Sequence, residues 1–200
     1  MGALLLRGGL RVDAEVNQMS RFFTADTHFG HKNIKVYMAR PWSTNDEMRE
    51  GLIERWNAAV KPFDEVWVLG DFSFGGAGFT SQIVPRLNGR KRLIKGNHDG
   101  YRPDRYTGWG FESATAEPVE ILIRGIPVLM CHYPYAGDHT DEDRYLDRRP
   151  VDAGKWLLHG HIHNKWRILG RQINVGVDAW DWSPVSEEVL FKEMAPCIHV

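Results

Sequence analysis

Five short apolar runs of this chain each end in side chains of the kind that bind metal ions. They are RFFTA before Asp26 and His28, EVWVLG before Asp71, KRLIKG before Asn97, His98 and Asp99, PVLMC before His132, and KWLLHG before His161 and His163. Runs of this length, rich in β-branched and aromatic residues, predict buried strands. In α/β proteins the carboxyl ends of strands open onto a crevice where ligands bind. The pattern therefore predicts one site built from five strand ends.

Helical segments are predicted between the early strands. The segment STNDEMREGLIERWNAAV carries an apolar stripe at helical spacing, and Thr44 with Glu47 has the spacing of a capping box. A shorter helix is predicted over Phe79–Leu87. Strands that alternate with helices early, followed mainly by strands, predict a layered α/β domain.

The second half of the chain is predicted to be richer in strands. VEILIRGIPVLM reads as two strands that turn at Arg124-Gly125, and RQINVG as a further strand. Ser186 can cap a last helix that ends at Met194. The polar segment Gly137–Arg149 is the best candidate for an exposed, mobile loop.

Composition narrows the class of protein. Lys and Arg number 25 against 26 Asp and Glu, so the formal charge is -1, and no block of like charge predicts strong non-specific binding to nucleic acid or an anionic membrane. No apolar stretch is long enough to span a membrane. Cys131 and Cys197 are too few for a disulfide framework and fit reduced thiols of a cytoplasmic protein. Nothing points to an obligate protein partner.

Two hundred residues suit a single domain, and residues 19–200 are expected to form it. Residues 1–18 read as a loosely attached N-terminal extension ahead of a second methionine, Met19. An additional edge strand over Gly9–Val16 is the alternative.

The number of candidate ligands indicates more than one metal ion. His161 and His163 are two residues apart, so in an extended segment their side chains face the same cavity. Seven donors are too many for one tetrahedral zinc ion and suit two metals that share a carboxylate. Mixed oxygen and nitrogen donors without a thiolate favour manganese, iron or zinc over copper. The seven donors are Asp26, His28, Asp71, Asn97, His132, His161 and His163.

Together these motifs resemble those of the calcineurin-like metallophosphoesterases. ADTH, LGDFSFG, KGNHD, CHYP and HGHIH occur in the family's order between about Phe22 and Gly176, and the short chain is most similar to small single-domain bacterial and phage members. The resemblance implies a four-layer fold, in which a sandwich of two β-sheets is flanked by helices and two metals lie at one edge.

The resemblance also implies how the donors divide. The first metal would take Asp26, His28, Asp71 and His163, and the second Asp71, Asn97, His132 and His161, with Asp71 bridging. Manganese is the expected metal, with iron or zinc as alternatives. Two such cations about 3.5–4 Å apart lower the pKa of a bridging water, so that metal-activated hydroxide can attack a phosphoester in line.

Two further residues are predicted to take part in catalysis. By resemblance, His98 contacts the phosphate and helps to protonate the leaving oxygen, and Asp99 orients His98. Substrate contacts are predicted for His31 and Lys32, which follow the first metal motif, and for Tyr133 and Tyr135, which flank Pro134. Tyrosines in this place can stack on a nucleotide base.

The expected reaction is hydrolysis of a small phosphodiester. Phosphomonoesterases of the family carry an arginine after the second motif, whereas this chain has GDFSFGG and no basic cluster beside the motifs. An arginine suits a monoester dianion, so its absence favours the diester, with 2′,3′-cyclic nucleotides as the preferred candidates. A nuclease acting on DNA or RNA and a phosphomonoesterase remain alternatives. A catalytically silent, protein-binding scaffold is the least favoured, because no ligand is missing.

Overall fold

The computed structural model describes residues 19–195, which form two five-stranded sheets with flanking helices. The strands are β1 Arg21–Thr24, β2 Glu65–Val68, β3 Arg90–Ile94, β4 Phe111–Thr115, β5 Val119–Ile123, β6 Ile126–Met130, β7 Trp156–His159, β8 Ile168–Leu169, β9 Gln172–Asn174 and β10 Val185–Ser186. The α-helices are α1 Ile34–Tyr37, α2 Asn45–Ala59, α3 Ala77–Ile83, α4 Pro103–Trp109 and α5 Glu187–Met194. The α/β class expected from the sequence is confirmed.

The first sheet has the strand order β10-β1-β2-β3-β4. Strands β1 to β4 run parallel and β10 runs antiparallel to β1. Because a parallel neighbour needs a crossover, α2 connects β1 to β2 and α3 connects β2 to β3. The parallel direction brings the carboxyl ends of β1, β2 and β3 to one edge.

Helix α2 forms as its sequence predicts. The Thr44 side chain accepts a hydrogen bond from the Glu47 amide at 3.1 Å, and the Glu47 carboxylate accepts one from the Thr44 amide at 3.1 Å, so the capping box is complete. Its apolar stripe of Met48, Leu52 and Trp56 is buried in a core cluster that also contains β2 and β3 residues. That burial fixes the helix against one face of the first sheet.

The second sheet has the order β5-β6-β7-β9-β8. β5 and β6 form the predicted hairpin, and its turn residues Arg124 and Gly125 have φ of 47° and 88°. A two-residue turn with both φ positive matches the twist of the strands it joins. β6, β7 and β9 then run parallel, so the ends of β6 and β7 lie at one edge.

A second core cluster is built from both sheets and α5. It contains apolar side chains of β1 and β3 together with those of β6, β7 and β9, and the neighbouring Leu69. The isolated parallel bridge between Ala25 and Gly176 links the sheets at the edge where their strands end. The two sets of strand ends are thereby held side by side.

Some elements were not predicted from the sequence. Helix α4 and strand β4 follow one another directly between residues 103 and 115, with Gly110 at φ 113° between them. The predicted helix over Phe79–Leu87 is instead α3, from residue 77 to 83, followed by a 3-10 turn, Val84–Arg86. The extension 1–18, its alternative edge strand Gly9–Val16 and Cys197 lie outside the described residues. Between residues 19 and 195, no helix has the length and apolarity required to cross a membrane.

Candidate metal centre

The strand ends surround a cavity of about 250 Å³ at the edge shared by the two sheets. It is lined by polar side chains from four of the five predicted segments, Asp71 and several histidines among them, and by residues of α1. Five of the seven predicted metal ligands line it directly, and Asp26 and His132 lie behind them in contact with the same side chains. The cavity-lining residues are His28, His31, Ile34, Tyr37, Met38, Asp71, Asn97, His98, His139, His161 and His163.

Asp71 lies at the middle of this arrangement. Its Oδ2 atom is 3.6 Å from Nε2 of His28 and 3.5 Å from Nε2 of His132, and its Oδ1 atom accepts a hydrogen bond from the His98 amide at 2.9 Å. One carboxylate oxygen therefore faces His28, which follows β1, on one side and His132, which follows β6, on the other.

Two histidines of the centre each have one ring nitrogen held by an oxygen on the outside, so that the other ring nitrogen faces the centre. His132 Nδ1 lies 2.8 Å from the Leu69 carbonyl oxygen, which requires a proton on Nδ1 and leaves a lone pair on Nε2. That Nε2 atom is 3.1 Å from Asn97 Oδ1. His161 is arranged the other way round, because Nε2 faces the Asp138 carboxylate and Nδ1 lies 3.2 Å from Asn97 Oδ1. A ring nitrogen lone pair that faces an oxygen atom is repelled by it unless a proton or a metal cation lies between them.

His163 lies beside His28, which follows β1, and one of its ring nitrogens is also held by a carboxylate. Its Nδ1 atom is 2.9 Å from Asp178 Oδ2, and its ring stacks on that of His28 with centroids 5.2 Å apart. Both ring nitrogens of His28 are buried and lack a hydrogen-bond partner among the described residues. A buried imidazole with no partner is costly, and a metal ion would satisfy it.

Three groups of donor atoms in the described chain are compact enough to hold metal ions, and two of them consist of predicted ligands. In each group the ligand atoms all lie within 4.8 Å of one another. Asp26 belongs to both groups of predicted ligands, with His28 and His163 in one and with Asp71 and His132 in the other. The third group, of Asp138, His139 and His161, contains two residues that sequence reasoning did not identify.

The backbone at these residues is strained. Non-glycine residues rarely adopt a left-handed conformation, and such outliers cluster at functional sites because surrounding structure must hold them. Ten non-glycine residues of the described chain have positive φ, and half of them are predicted ligands. These five are Asp26 (56°), His28 (48°), Asp71 (53°), His161 (73°) and His163 (52°).

Glycines permit the close approach of these loops. A Cβ atom on Gly96 would lie 2.2 Å from Asp71 Oδ1, and one on Gly160 would lie 2.6 Å from Asp26 Oδ2. Both distances are far below contact, so each position excludes a side chain. The glycines of the motifs before Asn97 and His161 are thus required by the packing of the carboxylates.

Burial also shifts the acidity of the candidate ligands. It raises the pKa of Asp26 to about 6 against the opposing charges of His163 and His132, and it raises the pKa of Asp71, which Asp99 reinforces. The pKa of His28 falls because of burial and the nearby His163. Carboxylates are costly to ionise here, and a divalent cation would offset that cost.

An ion pair that sequence reasoning missed holds the first strand end. Arg40 Nε lies 2.7 Å from Asp178 Oδ1, and both side chains are at most 1% exposed. Arg40 also donates to the carbonyl oxygens of Asp26 and Thr27 at 2.7 and 3.0 Å. The arginine therefore fixes the backbone of the first motif while its partner Asp178 fixes His163.

The two predicted catalytic residues, His98 and Asp99, lie in different surroundings. The His98 side chain is 40% exposed, and its Nε2 atom lies 3.9 Å from Asp71 Oδ2. Burial and the nearby His132 lower the pKa of His98 to about 4. Asp99 is buried and accepts hydrogen bonds from the amides of Asp71, Phe72 and Gly96 at 2.7, 3.2 and 2.9 Å. Its carboxylate thus ties together the second and third metal motifs rather than the His98 ring.

Only one of the four residues predicted to contact substrate lines this cavity. His31 lines the cavity, and its Nδ1 atom accepts hydrogen bonds from the Asn33 and Ile34 amides at the start of α1. Lys32 is exposed and is not among the lining residues. Tyr133 is only 5% exposed, and Tyr135 is half-buried. The two tyrosines pack in a small cluster on the second sheet, so their rings are engaged by the protein itself.

Two exposed aromatic residues that were not predicted lie in the cavity wall or next to it. Phe74 is 46% exposed, and its ring centroid lies 4.6 Å from those of His31 and His98. Tyr37, which is 63% exposed, lines the cavity beside His31. Phe74 belongs to the LGDFSFG motif and follows the predicted ligand Asp71 closely in the sequence. That proximity could have indicated a residue near the site.

The segment Gly137–Arg149 corrects two expectations. Its tip, including Asp141 and Glu142, is exposed as predicted, but the Asp138 side chain is buried at 1% exposure. The segment also brings Arg144 and Arg149 beside His161, whereas the sequence suggested no basic cluster near the motifs. Both arginines are paired with carboxylates of the segment, so neither is a free cation.

Comparison with known proteins gives relatives without a named activity. No protein-family profile matches the chain. A solved structure of a protein of unknown function from Aquifex aeolicus superposes with a TM-score of 0.71 at 26% identity, covering 88% of this chain and 100% of that one. An uncharacterized protein of Methanocaldococcus jannaschii is 29% identical over 184 residues, 86% of this chain and 89% of its own length.

Phage proteins are more similar in sequence. The gene 66 protein of Mycobacterium phage L5 is 38% identical over 180 residues, which cover 80% of this chain and 86% of that protein. The gene 66 protein of Mycobacterium phage D29 is 39% identical over 188 residues, which cover 83% of this chain and 92% of that protein. The chain therefore belongs to the family of the mycobacteriophage gene 66 proteins.

Proposed function

We propose that this protein is a metal-dependent phosphodiesterase of the calcineurin-like metallophosphoesterase type, with two divalent metals, manganese first among them. One observation carries the proposal: His132, His161 and His163 each hold one ring nitrogen at an oxygen outside the centre, and the other nitrogens of His132 and His161 face the oxygens of Asp71 and Asn97. The four-layer sandwich implied by the motif resemblance and a cytoplasmic location are part of the same proposal.

The donor set fits two cations. Asp26, His28, Asp71 and His163 would hold the first, and Asp71, Asn97, His132 and His161 the second. Asp71 suits the shared position because its Oδ2 atom lies near Nε2 of both His28 and His132. When bound, two such cations supply an activated water and stabilise the negative charge of an in-line phosphoryl transition state.

The protein's own groups would orient the substrate. His98 is the candidate for contact with the phosphate, since it borders the cavity, is partly exposed and has its backbone fixed by the hydrogen bond to Asp71. A bound phosphate anion would raise the lowered pKa of His98 and favour proton donation to the leaving oxygen. Asp99 supports the reaction by holding the loops of the second and third motifs together.

The substrate we propose is a small phosphodiester with a nucleoside flank, such as a 2′,3′-cyclic nucleotide. Phe74 and Tyr37 present exposed rings beside the metal ligands, and aromatic faces stack on unpaired bases. The arginines nearest to His161 are neutralised by Asp138 and Asp143, so they do not favour a monoester dianion.

A second observation favours a nuclease acting on short oligonucleotides as the alternative. A cavity of about 610 Å³ adjoins the centre at Asn97 and is lined by Lys95 and Arg148. Neither cation is paired with a carboxylate in the described chain, so both could bind a neighbouring phosphate. Exposed Glu117 and Asp147 border the same cavity and oppose this attraction, which is why we place the nuclease second.

Hydrolysis of bis-p-nitrophenyl phosphate by metal-stripped protein, measured with and without added Mn²⁺, tests the proposal. We expect activity only with metal and about two bound Mn²⁺ per chain. A panel of 2′,3′-cyclic nucleotides and single-stranded oligonucleotides then separates the two substrate classes. A protein that neither binds Mn²⁺ nor hydrolyses the diester would overturn the proposal.

A further inference from the structure

We propose that Asp138 is a positioning residue that holds His161 for metal binding and fastens the segment Gly137–Arg149 to the metal centre. The inference rests on the metal centre of the proposed function and not on the hydrolytic reaction.

Asp138 contacts the outer face of a candidate ligand. Its Oδ2 atom lies 3.2 Å from Nε2 of His161, and both side chains are at most 2% exposed. A carboxylate in this place keeps the proton of a neutral imidazole on Nε2, so that Nδ1 presents its lone pair toward Asn97. The tautomer and the ring orientation that metal binding needs are thereby set by Asp138.

The polar segment folds around the same carboxylate. Arg144 Nη2 lies 3.0 Å from Asp138 Oδ1, and Arg149 Nη2 lies 3.7 Å from Oδ2. The amides of Thr140 and Arg144 donate to the two oxygens at 3.2 and 3.3 Å. The Arg149 side chain, only 5% exposed, also donates to the Arg144 carbonyl oxygen at 2.9 Å. Asp138 therefore joins the segment to the His161 side chain, beside a second contact between His139 Nδ1 and the His161 carbonyl oxygen at 3.1 Å.

His163, the other histidine of the His-x-His pair, is also held by a carboxylate. Asp178 accepts from His163 and is paired with the buried Arg40. Asp178 lies in a 3-10 turn, Val177–Ala179, directly after the core strand β9, whereas Asp138 lies in the polar segment. The two carboxylates thus serve their histidines alike but differ in what else they hold, which makes Asp178 the matched control.

A third metal ion at Asp138, His139 and His161 is the competing explanation of this cluster. Two guanidinium groups already balance the charge of Asp138, and a further divalent cation beside them would be repelled. His161 would also have to bind metal through both nitrogens, which requires removal of its last ring proton. The geometry therefore favours a hydrogen bond between Asp138 and His161.

Trypsin provides a readout that is independent of activity. The segment contains Arg144 and Arg148, at which trypsin can cut only when the backbone opens, whereas Arg149 precedes Pro150 and trypsin does not cleave that bond. If His161 and the segment are joined through Asp138, binding of Mn²⁺ to the full-length protein should slow these cuts. Cleavage sites and rates can be followed by mass spectrometry with Mn²⁺ or with EDTA.

Three variants complete the experiment: Asp138→Asn, Asp138→Ala and Asp178→Asn. We expect both Asp138 variants to bind the second Mn²⁺ about 10–100-fold more weakly. They should also be cut in the segment at least about tenfold faster than wild type in Mn²⁺. Asp178→Asn should lose metal affinity to a similar extent but keep the wild-type rate of cutting. Circular dichroism melting identifies a variant that has not folded, and the milder Asp138→Asn then decides.

Each other outcome counts against the inference. If Asp138→Asn keeps both the Mn²⁺ affinity and the slow cutting of wild type, Asp138 is not a positioning residue. A wild-type stoichiometry of three Mn²⁺ that falls to two in Asp138→Ala would show a third metal site instead. A wild type that binds Mn²⁺ and hydrolyses the diester while its segment gains no protection would overturn the attachment alone, leaving the proposed function in place.

Discussion

Asp71 Oδ2 lies 3.5 Å from Nε2 of His132, although the two residues follow strands of different sheets. The proton of His132 is held on the opposite nitrogen by the Leu69 carbonyl oxygen. A carboxyl oxygen and an imidazole nitrogen are thus held face to face in a buried site, an arrangement that needs a proton or a metal cation between them. This contact joins the two sheets at the candidate metal centre.

Replacing Asp71 should abolish metal binding without damaging the fold. Asp71→Asn keeps the oxygen that accepts from His98 and removes a carboxylate whose pKa burial raises, so the metal-free variant should be at least as stable as metal-free wild type. We expect Mn²⁺ to raise the Tm of wild type, by mass action, but not that of the variant. Metal analysis and thermal melts check this, and a variant that still binds two Mn²⁺ would remove Asp71 from the bridging position.

His98 should fail in a different way. Its side chain borders the cavity but is not required by either group of candidate ligands. We expect His98→Ala to keep both metals and to lose about 10²–10⁴-fold in kcat, the usual contribution of general acid help. Comparing its Mn²⁺ content with that of Asp71→Asn separates the two roles. Loss of metal in His98→Ala would make His98 a structural support.

The donors could be predicted from the sequence because each follows a strand, and parallel strands end at one edge. The groups that orient them could not. Asp178 supports His163 and Arg40 pairs with Asp178 across 138 residues, a spacing with no local pattern. Asp138 lies in a polar segment that resembles any exposed loop. Tyr133, predicted to contact substrate because it follows His132, is 5% exposed, packs near Tyr145 and lines the cavity that adjoins Asn97 rather than the one at the metal ligands.

Arg40 should contribute more to the free energy of unfolding than an arginine on the surface. Its side chain is fully buried against Asp178 and two backbone carbonyl groups, so Arg40→Met leaves a buried carboxylate without its partner. We expect the free energy of unfolding to fall by about 3–5 kcal/mol. Arg49→Met removes exposed ion pairs and should cost only about 0–1 kcal/mol. Urea unfolding of both variants measures the difference, and equal costs would contradict the role given to Arg40.

Phe74 should determine affinity for nucleotide substrates. Its exposed ring lies beside His31 and His98, and stacking on a base is worth about 1–3 kcal/mol. We expect Phe74→Ala to raise KM for 2′,3′-cyclic AMP at least about fivefold with little change in kcat. Phe63 is similarly exposed, at 37%, but its ring is not beside His31 or His98, so Phe63→Ala is the matched control. An unchanged KM in Phe74→Ala would exclude the ring as a base-stacking surface.

The site should cleave a phosphodiester in preference to a phosphomonoester. A monoester dianion carries one more negative charge than a diester and needs an additional cation. The GDFSFGG motif has none, and Arg144 and Arg149 are occupied by Asp138 and Asp143. We therefore expect a higher kcat/KM for bis-p-nitrophenyl phosphate than for p-nitrophenyl phosphate at the same Mn²⁺ concentration. The reverse ranking would indicate a phosphomonoesterase. In that case Arg148 would be the first cation to test, since it lines the cavity that adjoins Asn97, whereas Lys32 lines neither cavity.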